Sequence, residues 1–124
     1  MDEATPQLEV WCAGEDWCPV TSTVALIGKK WHPVIIHRLL EHGGLGFNDL
    51  KDEVDGVSSK VLSDALEDLE RKQLVSREVI SDKPFRVEYS LTELGASLEP
   101  VITEMRNWGR DNLAPAESRD GSVA

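Results

Sequence analysis

Two thiols near the start of the chain are its most reactive side chains. Cys12 and Cys18 lie six residues apart, and Cys18 directly precedes Pro19. Because proline suits the first position of a helix, Cys18 is expected to cap a helix whose dipole lowers the thiol pKa. The acids Glu15 and Asp16 oppose this effect. Cys12 could form a disulfide with Cys18 if the chain turns between them. The alternative is a pair of inert, buried thiols.

A segment with different chemistry is GVSSKVLSDALEDLERKQLV, residues 56–75. Ser58 is a typical N-cap residue, and Val57 and Leu62 have the spacing of a hydrophobic staple, so a helix is predicted from this point. Its apolar residues recur at helical spacing and form one stripe, which comprises Val61, Leu62, Ala65, Leu66 and Leu69. The stripe predicts a helix with one buried and one polar face.

The polar face of this helix begins with hydroxyl groups and a single ammonium. Lys60 and Ser63 face away from the stripe, and Ser59 lies at its border. Backbone amides and the dipole at a helix N-terminus also favour phosphate. Ser58, Ser59, Lys60 and Ser63 are therefore candidate DNA contacts. The alternative is an ordinary solvated surface helix.

Acidic residues occupy the rest of the same helix. They are Asp64, Glu67, Asp68 and Glu70, and the predicted solvent face continues through them. Glu67 and Arg71 have the i, i+4 spacing of a helical ion pair. Because the acids begin a turn after the serines, only the first two turns suit contact with DNA.

The whole chain is acidic as well. Its 23 acids and 13 bases give a formal net charge of -10 over 124 residues. Residues 1–20 carry -5, 21–60 are neutral, 61–90 carry -2 and 91–124 carry -3. One interpretation is an ordinary domain with acidic ends. The favoured interpretation, because only six lysines are present, is the carboxylate-rich surface of a protein from a halophile.

The elements that must position these residues follow from periodicity and turn residues. Helices are predicted over residues 19–27, 31–42 and 47–54, with a short extended link at 45–47. After the serine-capped helix, residues 75–80 and 86–91 alternate as the strands of a hairpin, with a turn at 81–85. A final helix is predicted from a Thr92 cap to Trp108, with a bend at Pro100.

The hairpin turn holds two bases, Lys83 and Arg86, which suit contact with phosphate, although two bases on a loop are common. The order of elements predicts a mainly α protein with a small β hairpin, an α+β winged helix-turn-helix domain over residues 18–112. An N-terminal extension at 1–17 and a disordered tail at 113–124 flank it. In that fold the second helix of the pair enters the major groove.

Three segments resemble the HxlR-type winged-helix transcriptional regulators. They are CPVTSTVALIGKKW (18–31), GFNDLKDEVDGVSSKVLSDALEDLERKQLVSREV (46–79) and RVEYSLTELGASLEPV (86–101), in the family's order and spacing. The resemblance implies a homodimer on a palindromic or paired operator. It also implies DNA contacts at residues 56–63 and at the wing from Lys83 to Arg86. The chain departs from the family where Asp64 and Glu67 stand in the reading helix, which weakens the expected DNA affinity at ordinary salt.

The resemblance further implies that the first and last helices form the dimer. On this sequence those contacts are Val20, Val24, Leu94, Leu98, Val101, Ile102, Met105 and Trp108. Some members sense oxidants or electrophiles through a cysteine in the Cys-Pro region, which here is Cys18. Cys12 would then act as the resolving thiol.

Several classes of protein are disfavoured. The apolar run PVIIHRLL is shorter than a membrane span, and MDEATPQLEV lacks the pattern of a secretory signal, so a cytoplasmic protein is expected. His32, His37 and His42 do not share a helix face, so no metal is expected. Trp31 and Trp108 fit the apolar stripes of their helices better than a cofactor site, so no cofactor is expected either. No nucleophile-base pair or phosphate-binding glycine loop indicates an enzyme.

The sequence therefore predicts a homodimeric, sequence-specific DNA-binding regulator of transcription. Its expected partner is a double-stranded operator, and an oxidant or small molecule could be its effector. The alternative is a winged-helix module that binds protein and has lost DNA binding. The acid excess implies repulsion among the acids and between the acids and DNA. Salt of about 1 M shortens the Debye length to about 3 Å and screens this repulsion, so folding and operator binding are predicted to need high salt.

Overall fold

The computed structural model describes residues 18–114, which form six helices and one two-stranded sheet. The elements are α1 (Pro19–Ile27), α2 (His32–His42), α3 (Phe47–Glu53), α4 (Ser59–Arg71), β1 (Val75–Asp82), β2 (Phe85–Leu91), α5 (Glu93–Ala96) and α6 (Glu99–Asn112). The predicted fold class, mainly α with a β hairpin, is confirmed. Cys12, with the rest of the N-terminal extension, lies outside the described residues, as does the tail from residue 115.

One apolar core joins α2, α3, α4 and the start of β1. Its most deeply buried side chains are Ile35, Ile36, Leu39, Leu50, Val54, Leu62, Leu66, Leu69, Leu74 and Val75. Val61 was predicted in the buried stripe of α4, but it is 41% exposed. The reason is geometric, because Val61 lies at the edge of the stripe, about 100° around the helix from Leu62 and about 140° from Leu66.

The C-terminal end of α4 directs the chain into β1. Gln73 has a left-handed backbone with φ of 64°, and the amides of Gln73 and Leu74 donate to the carbonyls of Glu70 and Leu69. This is the hydrogen-bond pattern of a Schellman cap. Leu69 and Leu74 are both buried and supply its apolar contact. The hairpin therefore leaves α4 in a direction that the core fixes.

The hairpin is antiparallel and longer than predicted. Val75 pairs with Leu91 at its base and Asp82 with Phe85 at its tip. The predicted turn at 81–85 thus shrinks to two residues, because the ladder continues past the irregularity between Val79 and Ser81. The extended link before α3 is confirmed, since the Leu45 amide donates to the carbonyl of Tyr89 in β2 at 2.9 Å and the Leu45 carbonyl accepts in return at 2.7 Å.

The predicted final helix is two helices. Thr92 caps α5 as predicted, and its Oγ1 accepts from the Gly95 amide at 2.9 Å. However, α5 ends at Ala96 and α6 begins at Glu99, so Pro100 lies in the first turn of a new helix. Proline has no amide hydrogen and clashes with a preceding helical turn, which produces a break where a bend was predicted. No helix among the described residues combines the length and apolarity needed to cross a membrane.

Candidate DNA-binding surface

The first turns of α4 present hydroxyl groups and one ammonium to solvent. Ser58 is the N-cap, and its Oγ accepts a hydrogen bond from the Val61 amide at 3.1 Å. Ser59, Lys60 and Ser63 are all exposed. The helix start is therefore fixed by its cap, while three polar side chains beside it face water.

Lys60 already has a partner on its own helix. Its Nζ lies 3.0 Å from Oδ2 of Asp64, and the two side chains are 83% and 61% exposed. The predicted pair between Glu67 and Arg71 is not the one that forms, since Arg71 instead donates to Oδ1 of Asp68 at 2.6 Å. An exposed pair such as Lys60–Asp64 contributes little to stability, so a phosphate can replace Asp64 at low cost.

The hairpin carries its two predicted bases at the tip. Lys83 lies in the turn, and Arg86 is paired with Ser81 in the ladder. Both are exposed, and neither forms an ion pair with another residue of the 18–114 range. Val79, Ile80 and Phe85 on the same hairpin are also exposed, by 46% to 64%. The tip of the wing thus presents two bases, the acid Asp82 and apolar side chains together.

A polar cluster around the largely buried Asp68, at the other end of α4, was not predicted from the sequence. Asp68, interpreted there as part of the solvent face, is only 13% exposed, and its Oδ2 lies 2.7 Å from Nε2 of His32. Lys72 Nζ lies 2.9 Å and Lys29 Nζ 3.8 Å from the same oxygen. We call Asp68, His32, Lys29, Arg71 and Lys72 the Asp68 cluster. The i, i+4 spacing of Asp68 and Lys72 was a visible signal, but nothing in the sequence indicated His32.

The charges in this cluster follow from burial and hydrogen bonding. Burial lowers the pKa of His32 more than its hydrogen bond to Asp68 raises it, so the ring is neutral at neutral pH. His32 Nδ1 is buried without a hydrogen-bond partner, which suits a lone pair better than an N–H. We therefore assign the proton to Nε2, which donates to Asp68. Burial alone would raise the pKa of the Asp68 carboxyl, but hydrogen bonds from Lys72 and His32 outweigh it and hold that pKa well below its usual range.

Lys72 connects the cluster to α1. Its Nζ donates to the carbonyl oxygens of Ala25 at 3.2 Å and Leu26 at 3.1 Å, both in the last turn of α1. A cation at the C-terminal end of a helix satisfies free carbonyls and interacts favourably with the dipole. α1 is thereby joined to the C-cap of α4.

Cys18 lies at the N-cap of α1, as the sequence predicts. It is a half-buried free thiol. The backbone amide of Thr21, then its hydroxyl, and then the amide of Val20 favour the thiolate and lower the pKa of Cys18. Its sensing role stays a prediction.

α1 and α6 together expose an apolar surface, which we call the α1–α6 apolar face. It consists of Val20, Val24, Val101, Met105 and Trp108, which are between 38% and 71% exposed. Four of these five residues line a groove of about 630 Å³. The other three predicted dimer residues behave differently: Leu94 and Leu98 pack against the protomer's own core, and Ile102 is 4% exposed within it. Contiguous exposed apolar side chains of this kind indicate an interaction surface.

The other two histidines pair with carboxylates. His37 lies 3.6 Å from Glu41 and His42 lies 3.3 Å from Glu53. Over residues 18–114, no three side chains of the metal-ligating types are grouped so that they could hold an ion.

The helix pair α3–α4 and the hairpin that follows it define a winged helix-turn-helix protein. The HxlR-like helix-turn-helix family matches residues 26–117. The chain belongs to this family. Relatives of the chain are named as HTH-type transcriptional regulators.

Three similar proteins show the range of the family. The HTH-type transcriptional regulator YdeP of Bacillus subtilis is 40% identical over 92 residues, which cover 74% of this chain and 71% of YdeP. YodB, also an HTH-type transcriptional regulator of B. subtilis, is 34% identical over 85% of this chain and 94% of its own. The redox regulator HypR in its oxidised form has a TM-score of 0.74 at 36% identity, covering 79% of this chain and all of that chain. A quinone-bound structure of YodB has a TM-score of 0.64 at 34% identity, covering 77% of this chain and 99% of that chain.

Proposed function

We propose that the protein binds operator DNA sequence-specifically as a homodimer and thereby regulates transcription. The observation that carries this proposal is the exposure of Ser59, Lys60 and Ser63 in the first two turns of α4, the helix that reads DNA in this fold. Ser58 fixes the helix start beside them through its cap. Their hydroxyl and ammonium groups can hydrogen-bond base edges and phosphates, while Lys83 and Arg86 contact the flanking backbone.

Selection of duplexes from a randomised pool tests this proposal, because the pool contains every short operator sequence. The wild-type protein is expected to enrich a paired or palindromic site. Lys60→Ala and Arg86→Ala should then weaken binding of the selected duplex by about tenfold each, as expected for lost phosphate or base contacts. Arg106→Ala is the matched control, since it removes the same charge from an exposed position on α6.

A second candidate is a winged-helix module that binds protein. The exposed Val79, Ile80 and Phe85 on the hairpin favour it, because apolar side chains at a wing suit a protein surface better than phosphates. If the folded dimer enriches no duplex at any salt concentration, this candidate replaces the regulator.

The homodimer would form through the α1–α6 apolar face. A second copy supplies the same apolar residues, so a two-fold contact would cover them on both protomers. Ile102 is buried, and Leu94 and Leu98 are half-buried against the protomer's own core, so the proposed contact is limited to the exposed members of the predicted set. Analytical ultracentrifugation of Trp108→Glu should show a monomer. Phe85→Glu is the control, because Phe85 is as exposed as Trp108 but lies on the hairpin, and it should leave the dimer intact.

We further propose that Cys18 makes the regulator responsive to oxidants or electrophiles. With a disulfide oxidant, two thiols lose two electrons and two protons to the oxidant, and Cys12 is the proposed second thiol. With a quinone, the Cys18 thiolate adds to a ring carbon, and the ring takes up a proton and becomes the substituted hydroquinone. The support is the lowered pKa of Cys18 and the redox chemistry named for HypR and the quinone named for YodB.

Mass spectrometry combined with binding assays tests the thiol proposal. Treatment with diamide or a quinone should modify Cys18 and change the affinity for the selected duplex. Cys18→Ser should abolish the change in affinity, whereas Cys12→Ser should abolish only the disulfide route. Unmodified Cys18 after treatment, or unchanged binding after its modification, contradicts a sensing role.

The acid excess adds a proposal about conditions. We infer a protein suited to a salt-rich cytoplasm, where screening reduces repulsion between DNA and acids such as Asp64 and Glu67. Urea unfolding and duplex binding at about 0.1 M and about 2 M KCl test it, since the Debye length falls from about 10 Å to below about 3 Å. Equal stability and tight binding at the lower salt concentration contradict the adaptation.

A further inference from the structure

We propose that Lys72 is a positioning residue that couples α1 to the DNA-reading helix α4, and that Asp68 holds Lys72 in the position this requires. The proposal rests on the proposed function, because it assumes that α4 reads DNA. It assigns a role to residues at the opposite end of α4 from the predicted DNA contacts.

Lys72 contacts both α1 and α4. It stands at the C-cap of α4 with its side chain 20% exposed. The ammonium has three donors, and it lies within hydrogen-bond distance of three oxygens: Ala25 O, Leu26 O and Asp68 Oδ2. One side of the ammonium therefore contacts the end of α1, and the other contacts an acid of α4.

Asp68 is itself fixed from several directions. His32 at the start of α2 donates to the same oxygen that contacts Lys72, and Arg71 donates to the other oxygen. Lys29, in the segment that joins α1 to α2, lies 3.8 Å away. The carboxylate thus keeps the Lys72 ammonium at the point where α1, α2 and α4 meet.

Among the described residues, α1 buries little of its own surface apart from this point. Of its nine residues only Ser22 and Ile27 are buried, and Leu26 packs against the core. Val20 and Val24 face outward into the groove of the α1–α6 apolar face. Within one protomer, a helix with so little buried surface can shift without disrupting the core.

The consequence is a physical route between two surfaces. α1 carries Cys18 at one end and the Lys72 hydrogen bonds at the other. A change at Cys18 or in the partner contact that moves α1 must therefore either move Lys72, and α4 with it, or break the two carbonyl hydrogen bonds. Through Lys72, a displacement of α1 is transmitted to α4.

Hydrogen exchange of the full-length dimer tests the connection without DNA. Lys72→Met keeps the aliphatic stem and removes the donors. Amides of the last turn of α1 should then exchange about tenfold faster, a change typical of losing charge-assisted hydrogen bonds, while amides of α2 and α4 keep their protection. Lys72→Arg should restore most of the protection because it retains charge and donors. Lys30→Met is the matched control, since among the described residues Lys30 is exposed and contacts the ring of Trp31, not Asp68 or either carbonyl.

Binding of the selected duplex tests the coupling. Lys72→Met should bind at least about fivefold more weakly, whereas Lys72→Arg and Lys30→Met should stay near the wild-type affinity. Quinone modification of Cys18 should change the affinity of Lys72→Met less than that of the wild type. A general loss of structure is distinguished by a lowered melting temperature and by faster exchange in α2 and α4.

The outcomes separate this proposal from the proposed function. If the wild-type protein selects no duplex, the proposed function fails and the coupling fails with it. If the wild type binds and Lys72→Met binds equally well, the positioning role alone is overturned. Unchanged α1 exchange in Lys72→Met also overturns it, whatever the DNA result.

Discussion

The two ends of α4 use the same residue types in opposite ways. At the N-terminal end, Asp64 is 61% exposed, and within residues 18–114 its one ion pair is with the still more exposed Lys60. At the C-terminal end, Asp68 is 13% exposed and contacts donors from α2, from α4 and from the segment before α2. At the N-terminal end, Lys60 can exchange its ion pair with Asp64 for a contact with a ligand. At the C-terminal end, the contacts of Asp68 are fixed by the fold.

This contrast makes an acidic helix compatible with the DNA contacts proposed for its N-terminal end. Asp68 contributes one of the four acids of α4, but its charge is balanced locally by Lys29, Arg71 and Lys72. The net charge of the helix therefore overstates the repulsion that DNA would meet. What remains at the reading end is a single exposed acid beside a single exposed base, Asp64 beside Lys60.

The largest expected effect is on the free energy of unfolding, when the same substitution is made at Asp68 and at Asp64. Asp68→Asn should lower the free energy of unfolding by about 2 kcal/mol, because it leaves the partly buried Lys72 ammonium without a counter-charge. Asp64→Asn makes the same charge change in an exposed pair and should stay within about 0.5 kcal/mol of the wild type. Urea unfolding at neutral pH measures both, and equal losses would remove the distinction between the two ends.

The second prediction concerns DNA and compares two exposed bases of α4. Lys60→Met should weaken binding of the selected duplex by about tenfold at low salt and lower the salt slope by about one. Arg71→Met removes the same charge at the far end and should change affinity less than about twofold, since a charge there is about a Debye length from the reading end. Fluorescence anisotropy across a salt series measures both. A larger effect of Arg71→Met would place the DNA at the wrong end of α4.

The third prediction is a pH dependence of stability from His32. Its folded pKa is lowered, mainly by burial, so below the unfolded value of about 6.5 the unfolded chain takes up a proton that the folded chain excludes. Stability should therefore fall as pH falls from about 6.5, by up to about 1.4 kcal/mol per pH unit. The lowered pKa of Asp68 adds a similar loss only below about pH 4.

Urea unfolding between about pH 7.5 and about pH 5.5 isolates the histidine, because the interval spans its unfolded pKa of about 6.5 and stays above that of aspartate. His32→Gln retains an N–H donor for Asp68 and should flatten the pH dependence. His37→Gln, on the same helix, should keep it because His32 is retained. A slope unchanged by His32→Gln contradicts the assignment of a neutral, buried ring.

The smallest effect is a gain at the reading end. Asp64→Asn frees Lys60 from its ion pair and removes one repulsive charge, so affinity for the selected duplex should rise about threefold at low salt. The gain should vanish near 1 M salt, where the Debye length is about 3 Å. A loss of affinity would instead mean that Asp64 accepts a hydrogen bond from a base in the groove.

Local patterns were sufficient to predict much of the fold. Proline, serine and threonine at Pro19, Ser58 and Thr92 marked helix starts that the structure confirms, because capping depends on residues within one turn. Errors arose where several elements compete. Pro100 broke the last helix where a bend was expected, and the ladder extended further towards the hairpin tip than alternation alone indicated.

The sequence by itself determined the winged helix-turn-helix order, the family and the polar start of α4, because caps, periodicity and turn residues act over a few positions. Only the tertiary structure decided which acids of α4 are solvated and which are structural. His32 and Asp68 lie 36 positions apart, and Lys72 and Ala25 lie 47 apart. Contacts between residues so far apart in the chain produce no periodic pattern in the sequence. These contacts form because α1, α2 and α4 share one core. An aspartate of α4 that lies against this core, Asp68, is structural, whereas one that faces water, Asp64, is solvated.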